Sequence, residues 1–420
     1  MNKDKKTKVM WLCTYSDAEL RSHLTFPKWH WSNVLRKMLH MDKQADFAVW
    51  DSNALREFEK LETDIELHVV APHSGVCHLQ EFESKGVFYH IFWSEWDMIT
   101  EKIKRRFNLS NEKAFKHHRK TIQKLIWKIQ PDIVHCIGIE NKFHSMAVLD
   151  IPHEIPVIAQ LQTLVSDERF KESFDGSAEE YAFNCEIERR IIKRSDYVGI
   201  KAVRYREIIV RDIKPEVVFV ETSLAIGEPV FDGQCEKKYD FVYFAADISK
   251  AADLAIEAFA EAKKDAPQLT LDVVGGYSTT LKEQLDKRIE ELGICDSITF
   301  EGKLPTHEDV ILQIRKARFA LLPLKIDLIS GTIREAMANS IPVVSTITPS
   351  TPKINSKREC ILLSETGDHT AMAKNMLRLV NEPELAEQLI ENGRLYASDR
   401  ISNKEVVETY CDVYHQIVKK

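Results

Sequence analysis

The sequence lacks the features that usually mark a membrane-spanning, metal-binding or nucleic-acid-binding protein. No apolar run reaches the roughly 18 residues of a membrane-spanning helix, and the apolar run behind the basic first residues is too short for a signal peptide. The eight cysteines form no C-x-x-C pair and the fifteen histidines no H-x-x-x-H pair, so a zinc site has no support. A net charge of −7 argues against nucleic acid as a partner. We therefore expect a cytoplasmic globular protein with buried, reduced cysteines and no bound metal.

What the sequence does contain is a regular alternation of short apolar runs and longer amphipathic stretches. Continuous apolar strands that alternate with helices predict parallel sheets covered by helices on both faces. The length of 420 residues is too great for one ordinary core, and a stretch with little periodicity at 225–238 divides the pattern into two sets. We predict an α/β protein with two doubly wound, Rossmann-like domains that face each other across a cleft. The predicted parts are an N-terminal domain (1–225), a C-terminal domain (226–402) and a last helix (403–420) that crosses back to the N-terminal domain.

Twelve runs are predicted to be strands, six in each half of the chain. In the first half they are VMWLCTY (9–15), ELHVVAP (66–72), GVFYHIF (86–92), DIVHCIG (132–138), PVIAQLQ (156–162) and DYVGIKA (196–202). In the second half they are DFVYFAA (240–246), LTLDVVGG (269–276), SITFEG (297–302), FALLPL (319–324), IPVVST (341–346) and ECILLS (359–364). Ligands of such sheets bind beyond the carboxyl ends of the strands, which directs attention to the segment after FALLPL.

The stretch SGTIREAMANSIPVVST, residues 330–346, is the most informative one for function. It follows a buried strand, opens at Ser330 and Gly331, and continues as a helix. Amides at a helix start have no partner within the helix and carry the positive end of its dipole, so they suit a phosphate, and Gly331 would let a ligand approach the backbone. Glu335, one turn further, could accept hydrogen bonds from the two hydroxyls of a ribose. The alternative is a purely structural capping box between Thr332 and Glu335 that only starts the helix.

The wider sequence resembles the retaining glycosyltransferases of family 4, which have the GT-B fold. In that family two acidic residues separated by seven others precede a run like Glu-Ala-Met-Ala and a Pro-Val-Val strand. Here Asp327 and Glu335 stand in the acidic positions, and residues 335–338 and 342–344 match the two runs. The resemblance covers residues 238–400 well and the first half of the chain only in outline.

The resemblance implies roles for several residues. Those implied in catalysis are Asp327, Glu335 and Lys250. Those implied in donor binding are Ser330, Gly331, Thr332, Gly275 and Gly302. Glu335 would bind the ribose hydroxyls, Asp327 would lie near the donor sugar, and Lys250 would neutralise the leaving diphosphate. No metal or other cofactor is implied beyond the nucleoside diphosphate sugar, because metal-independent members use such side chains in place of a divalent ion.

Two positions depart from the family pattern. Asp247 stands where the family usually has an arginine, and an acid cannot neutralise a diphosphate. Gln162 stands where many members have a histidine, and it can hydrogen-bond but cannot act as a base. His135, at the end of the preceding strand, is a second candidate on the acceptor side or, alternatively, a core histidine. The acceptor chemistry therefore stays open, and a weakly active or degenerate enzyme is an alternative.

Residues 102–128 hold ten lysines and arginines against one acid, Glu112, with apolar residues at helical spacing behind them. A basic amphipathic surface of this kind suits an anionic membrane that presents a lipid-linked acceptor. The alternative is an ordinary helix with a solvated basic face. Phe26, Trp29 and Trp31 could stack on a sugar or belong to the core.

Together these features predict a glycosyltransferase that uses a UDP- or GDP-linked sugar, with retention, to extend a surface polysaccharide or a similar glycan. It would be cytoplasmic, with a possible peripheral position at the inner face of the membrane. Two alternatives remain. One is a nucleotide-sugar epimerase on the same fold. The other is a non-catalytic binding or scaffold protein, which Asp247 and Gln162 favour.

Overall fold

The computed structural model describes the chain except at its ends and in several internal segments. The described residues are 6–38, 46–94, 115–172, 174, 176–226, 233, 235–245, 251–277, 279–326, 330–398 and 402–419. Within them the chain forms two mainly parallel β-sheets covered by α-helices. This arrangement confirms the predicted α/β class.

The first sheet has eight strands and the second has six within the described residues. The strands of the first are β1 (Thr7–Leu12), β2 (Ile65–His73), β3 (Gln80–Ser84), β4 (Val87–Trp93), β5 (Ile133–Ile137), β6 (Val157–Gln160), β7 (Tyr197–Gly199) and β8 (Val218–Phe219). Those of the second are β9 (Tyr239–Phe244), β10 (Leu271–Val274), β11 (Ile298–Gly302), β12 (Ala317–Leu321), β13 (Val343–Ile347) and β14 (Leu362–Glu365). Their spatial orders are β3-β4-β2-β1-β5-β6-β7-β8 and β11-β10-β9-β12-β13-β14. In both sheets the order reverses near the first strand, which is the doubly wound pattern.

Helices connect the strands and cover the sheets. In the first half they are α1 (Ala18–His23), α2 (Trp31–Met38), α3 (Val49–Phe58), α4 (Lys116–Ile129), α5 (Lys142–Ser145), α6 (Glu168–Glu172), α7 (Ala178–Arg194) and α8 (Val203–Ile208). In the second half they are α9 (Ala252–Asp265), α10 (Thr279–Glu291), α11 (His307–Ile314), α12 (Gly331–Ala338), α13 (His369–Asn381), α14 (Pro383–Ser398) and α15 (Asn403–Val418).

All twelve predicted strands lie in the two sheets, but the prediction of wholly parallel sheets is wrong at one edge. β3 pairs antiparallel with β4. The two strands are joined by Lys85 and Gly86, whose φ values of 50° and 80° are those of a two-residue hairpin turn. β3 reads QEFES, an edge strand without the continuous apolar run by which the twelve predicted strands were identified, and the two-residue strand β8 was not predicted either.

Each sheet has an apolar core on both faces because successive strand residues point to opposite sides. Along β1, Val9 and Trp11 belong to one cluster while Met10 and Leu12 belong to the other. β9 divides in the same way between two clusters of the second sheet. Since apolar side chains fill both faces, polar side chains can gather at the ends of the strands, and ligands of such sheets bind beyond the carboxyl ends.

The last helix, α15, packs on the first sheet rather than on the second. Its apolar stripe, which includes Val407 and Tyr414, joins the cluster that contains Val9 and Trp11. The Nε1–H of Trp11 donates to the hydroxyl of Tyr414 at 2.8 Å. The end of the described chain is thus built into the same core as its first strand.

Candidate functional site

The start of α12 lies beyond the carboxyl end of β12. Ser330 is its N-cap residue with extended backbone angles, and its hydroxyl hydrogen-bonds to the hydroxyl of Thr332 at 2.7 Å. The first turn therefore presents backbone amides together with two hydroxyls, which is a suitable environment for a phosphate. A Cβ at Gly331 would stand 3.6 Å from Ile226, an ordinary contact, so packing within the chain does not require glycine there.

The carboxylate of Glu335 does not cap its own helix. Helix α12 begins at Gly331, so Thr332 lies inside the helix and cannot be the cap of a capping box with Glu335. Instead, the Nε2–H of His307 donates to Oε1 of Glu335 at 3.1 Å. The capping-box alternative is therefore wrong, and Glu335 is held by a side chain from another helix.

His307 is held firmly because the start of α11 is well capped. The hydroxyl of Thr306 accepts from the backbone N–H of Asp309 at 3.0 Å, and Asp309 Oδ2 accepts from the backbone N–H of Thr306 at 3.1 Å. Burial acts to lower the pKa of His307, but the hydrogen bond and charge of Glu335, with the charge of Asp46, outweigh it and raise the pKa above its ordinary value. Sequence reasoning missed this histidine because its partner is 28 residues away and on a different helix.

A residue from the N-terminal half reaches the same place. The backbone N–H of Asp46 donates to the carbonyl of Pro305 at 3.1 Å. Its Oδ2 accepts from the backbone N–H of His307 at 3.4 Å, and its Oδ1 accepts from Arg21 at 2.8 Å. The two halves of the molecule therefore meet at the first turn of α11, beside Glu335.

The two predicted glycine turns are brought together at the same edge of the second sheet. The N–H of Gly275 donates to the carbonyl of Gly302 at 2.9 Å, just beyond β10 and at the end of β11. Gly302 has a φ of 71°, a left-handed value that favours glycine. The chain leads from this turn into α11, which explains how the end of β11 places His307 near α12. The other implied donor residues, Asp327 and Lys250, lie outside the described residues, as does Asp247.

His135 does not face the cleft. It is fully buried, with Nδ1 hydrogen-bonded to the hydroxyl of Tyr414 at 2.6 Å and Nε2 to Oε1 of Gln160 at 2.8 Å. Burial lowers its pKa to about 3, so the ring is neutral. His135 is therefore a core histidine. The predicted acceptor-side role is wrong, because both ring nitrogens are hydrogen-bonded to buried side chains.

Gln162 is half-buried just beyond β6, and it has an acidic neighbour that sequence reasoning missed. A Cβ at Gly138 would lie 3.3 Å from both Nε2 of Gln162 and Oε1 of Glu140, so these side chains flank one glycine with a φ of 76°. Oε2 of Glu140 is buried without a hydrogen-bond partner among the described residues. Burial raises the pKa of Glu140 to about 7, although amides of Glu140 and Gln162 act to lower it. An acid three residues beyond a buried strand was the signal that could have identified it.

The comparisons with known proteins find a family match for the part of the chain that contains the second sheet. Residues 232–396 match the model of the family described as glycosyl transferases group 1. This part of the chain is similar to that family, and we refer to the matched residues 232–396 as the group 1 domain. The group 1 domain contains Glu335, His307 and the paired glycine turns, and it covers less than half of the chain. An uncharacterized glycosyltransferase from Haemophilus influenzae is 27% identical over 151 residues, which span 36% of this chain and 41% of that relative.

Two solved structures are similar over almost the whole chain. Sucrose-phosphate synthase from Thermosynechococcus elongatus has a TM-score of 0.67 and 14% identity, and the match covers 99% of this chain and 100% of that one. Anabaena HepE in complex with UDP and glucose has a TM-score of 0.64 and 12% identity, with coverages of 97% and 99%. At these identities the similarity concerns the fold only. The fold is GT-B, as predicted from the sequence.

Two features are absent from the part of the chain that the structure describes. No helix there is both long and apolar enough to cross a membrane. No group of three or more histidine, cysteine, aspartate or glutamate side chains there is arranged to hold a metal ion.

Proposed function

We propose that the protein is a glycosyltransferase that transfers a sugar from a nucleoside diphosphate sugar to a glycan or a lipid-linked acceptor. The observation that carries the proposal is the start of α12, where cap hydroxyls and amides at 330–332 precede a carboxylate, Glu335, that is held in place by His307. This arrangement lies in the group 1 domain. UDP is the first choice of donor nucleotide because the similar HepE structure contains UDP and glucose; GDP is the second.

In this proposal the diphosphate binds at the first turn of α12 and the ribose binds at Glu335. Glu335 follows Gly331 by four positions, which corresponds to a rise of about 6 Å along the helix. The two negative groups can therefore occupy the same site without direct contact. Asp327 near the donor sugar and Lys250 near the phosphates complete the proposed site.

The transfer is proposed to proceed with retention by front-side displacement. The acceptor hydroxyl attacks the anomeric carbon on the face of the leaving group, the bond from that carbon to the phosphate oxygen breaks, and the departing phosphate oxygen takes the hydroxyl proton. Positioning and electrostatic stabilisation then account for catalysis, and no strong base is needed. Gln162 and Glu140, beyond the carboxyl ends of β6 and β5, are the described side chains proposed to position the acceptor.

We also propose a peripheral contact with an anionic membrane, at the inner face of a cytoplasmic membrane where a surface polysaccharide would be extended. Of the basic stretch at 102–128, the structure describes residues 115–128, most of which lie in α4. One exposed stripe of this helix carries three lysines and Trp127. The stripe consists of Lys116, Lys120, Lys124 and Trp127. Next to the start of α4 lies a second surface, which we call the α2 patch, formed by the exposed side chains of residues 28–38.

The α2 patch combines apolar and basic side chains. Trp29 and Met38 are 93% and 73% exposed, and no acid occurs between residues 28 and 38. Trp93 joins the patch to α4, since its ring lies 6.0 Å from Trp31 and 5.9 Å from His117. Exposed tryptophan and methionine beside cations suit the interface of an anionic bilayer. The alternative of Trp29 as a core residue is wrong, because almost all of its surface is exposed.

The decisive test is calorimetric titration of UDP, GDP and ADP without added metal into wild type, Glu335→Ala and Glu308→Ala. Glu308 lies one residue after His307 and is exposed, so it is a matched control for the loss of one carboxylate. We expect one nucleotide to bind with a micromolar Kd, Glu335→Ala to lose most of that affinity and Glu308→Ala to keep it. If no nucleotide binds to the folded protein, the donor site does not exist and the non-catalytic alternative is favoured. If a nucleotide sugar binds and is converted without an acceptor, the epimerase alternative is favoured.

A further inference from the structure

His307 connects the proposed ribose carboxylate with the N-terminal half of the molecule. Its Nε2–H donates to Oε1 of Glu335 at 3.1 Å, while its backbone N–H donates to Oδ2 of Asp46 at 3.4 Å. The side chains of His307 and Glu335 are only 20% and 14% exposed. A hydrogen bond this sheltered from water is stronger than one at the surface, so it can define the orientation of the carboxylate.

Asp46 is itself held by the carboxyl edge of the first sheet. Its Oδ1 accepts from Arg21 at 2.8 Å, and Arg21 also donates to the hydroxyl of Ser16 at 2.9 Å. The same hydroxyl is 3.1 Å from Nε2 of His73, the last residue of β2. A continuous series of hydrogen bonds therefore leads from the end of β2 to Asp46 and from there to the donor side.

The proposed donor presents an electrostatic problem that this histidine resolves. Glu335 suits the ribose hydroxyls, but its charge repels a diphosphate bound one helical turn away. A positive charge beside Glu335 would cancel the repulsion, and an imidazolium at His307 has the position to supply it.

We propose that His307 is a positioning residue for the donor, which as an imidazolium orients the Glu335 carboxylate toward the ribose and cancels its charge toward the diphosphate. Asp46, from the N-terminal half, accepts from the backbone N–H of His307 and adds a negative charge that favours the imidazolium. The inference rests on the proposed function, since it takes Glu335 as the ribose-binding group. A carboxylate offers about four acceptor positions, so one bond from His307 leaves positions for two ribose hydroxyls. Donor binding and the approach of the two halves of the molecule would then favour each other.

The groups that face His307 agree with a protonated ring. Burial and Arg56 of α3 act to lower its pKa, whereas Glu335 of α12 and Asp46 act to raise it, and the pKa is raised overall. A raised histidine pKa means that the positive charge persists to a higher pH than in an ordinary histidine and is lost as the pH rises through that pKa. Donor affinity should follow the same direction.

The experiment is titration of UDP, GDP and ADP between pH 7 and 9, where the diphosphate is fully ionised because its last pKa is near 6. The proteins are wild type, His307→Gln, Asp46→Asn and the control His153→Gln, an exposed histidine of the N-terminal half. Glutamine keeps an N–H donor but cannot carry a charge. We expect wild-type affinity to fall about tenfold, or roughly 1.4 kcal/mol, across this range. His307→Gln should be about tenfold weaker at pH 7 and nearly constant with pH, Asp46→Asn should be intermediate, and His153→Gln should match wild type.

The outcomes separate this inference from the proposed function. If Glu335→Ala abolishes binding while His307→Gln keeps the wild-type affinity and pH dependence, the inference is overturned and the donor site stands. If Glu335→Ala binds like wild type, or none of the three nucleotides binds wild type, the proposed donor site fails and the inference fails with it. Uridine provides a second readout, because it has no diphosphate and His307→Gln should weaken it much less than UDP. Equal losses for uridine and UDP would overturn the charge-cancelling role.

Discussion

The hydroxyl of Tyr414 completes a buried hydrogen-bonded network between the two ends of the chain, and removing it tests that network quantitatively. Trp11 donates to this hydroxyl at 2.8 Å, and the hydroxyl in turn donates to Nδ1 of His135 at 2.6 Å. The proton of the neutral ring therefore lies on Nε2 and is donated to Gln160 at 2.8 Å. Tyr414→Phe keeps the ring but leaves an indole N–H and an imidazole nitrogen buried without partners. Each unsatisfied group costs about 1–3 kcal/mol, so we expect the free energy of unfolding to fall by about 2–6 kcal/mol.

The measurement is equilibrium unfolding in urea, followed by circular dichroism. Tyr277→Phe is the matched control, because the hydroxyl of Tyr277 is buried with no hydrogen-bond partner among the described residues. Losing that hydroxyl should change the free energy of unfolding by less than about 0.5 kcal/mol, or raise it. A loss below about 1 kcal/mol for Tyr414→Phe, or one equal to that of the control, would refute the inferred network.

Two further predictions concern the membrane surface and the buried acid. Wild type should sediment with vesicles that contain phosphatidylglycerol but not with pure phosphatidylcholine vesicles. The double variant Trp29→Ser, Met38→Ser should bind the phosphatidylglycerol vesicles at least about tenfold more weakly, because two apolar side chains no longer enter the membrane interface. Val210→Ser, which removes a side chain that is 42% exposed elsewhere, should bind like wild type; equal binding by all three proteins would count against the α2 patch. Because the pKa of Glu140 is about 7 in the folded protein and near 4.5 ordinarily, wild-type stability should decrease as the pH rises from 4.5 to 7. The measurement is urea unfolding at pH 5 and pH 8, and Glu140→Gln should reduce the difference in the free energy of unfolding between these two pH values by as much as roughly 3 kcal/mol. An unchanged pH dependence would show that Glu140 is ionised in the folded protein.

The sequence was sufficient for the framework because buried parallel strands leave a strong local signal. A run such as FALLPL is apolar at every position, since helices cover both faces of its sheet, and the structure places part of it in β12. β3 left no such signal because alternate residues along it are exposed to water, and its pairing with β4 depends on the hairpin turn at Lys85 and Gly86. Local sequence patterns identify strands that are buried on both faces much better than strands at the edge of a sheet.

The candidate site was only partly predictable because its contacts join distant parts of the chain. Glu335 could be selected from the helix start and the family resemblance, but a capping box was an equally good local interpretation. What distinguishes the two is His307, whose bond to Glu335 depends on how two helices pack. His135 was ambiguous for a similar reason, since its partner Tyr414 is 279 residues away. Spacing within one element cannot reveal such pairs.

The return of α15 to the first sheet has a consequence for how the protein is made. Trp11 is among the first described residues to leave the ribosome, yet its partner Tyr414 follows 403 positions later. The second sheet, whose strands end at residue 365, can complete its own core while that partner is still being synthesised. The N-terminal half must therefore wait with the part of one apolar face that α15 covers still exposed, and during this interval that face is prone to aggregation and accessible to a chaperone.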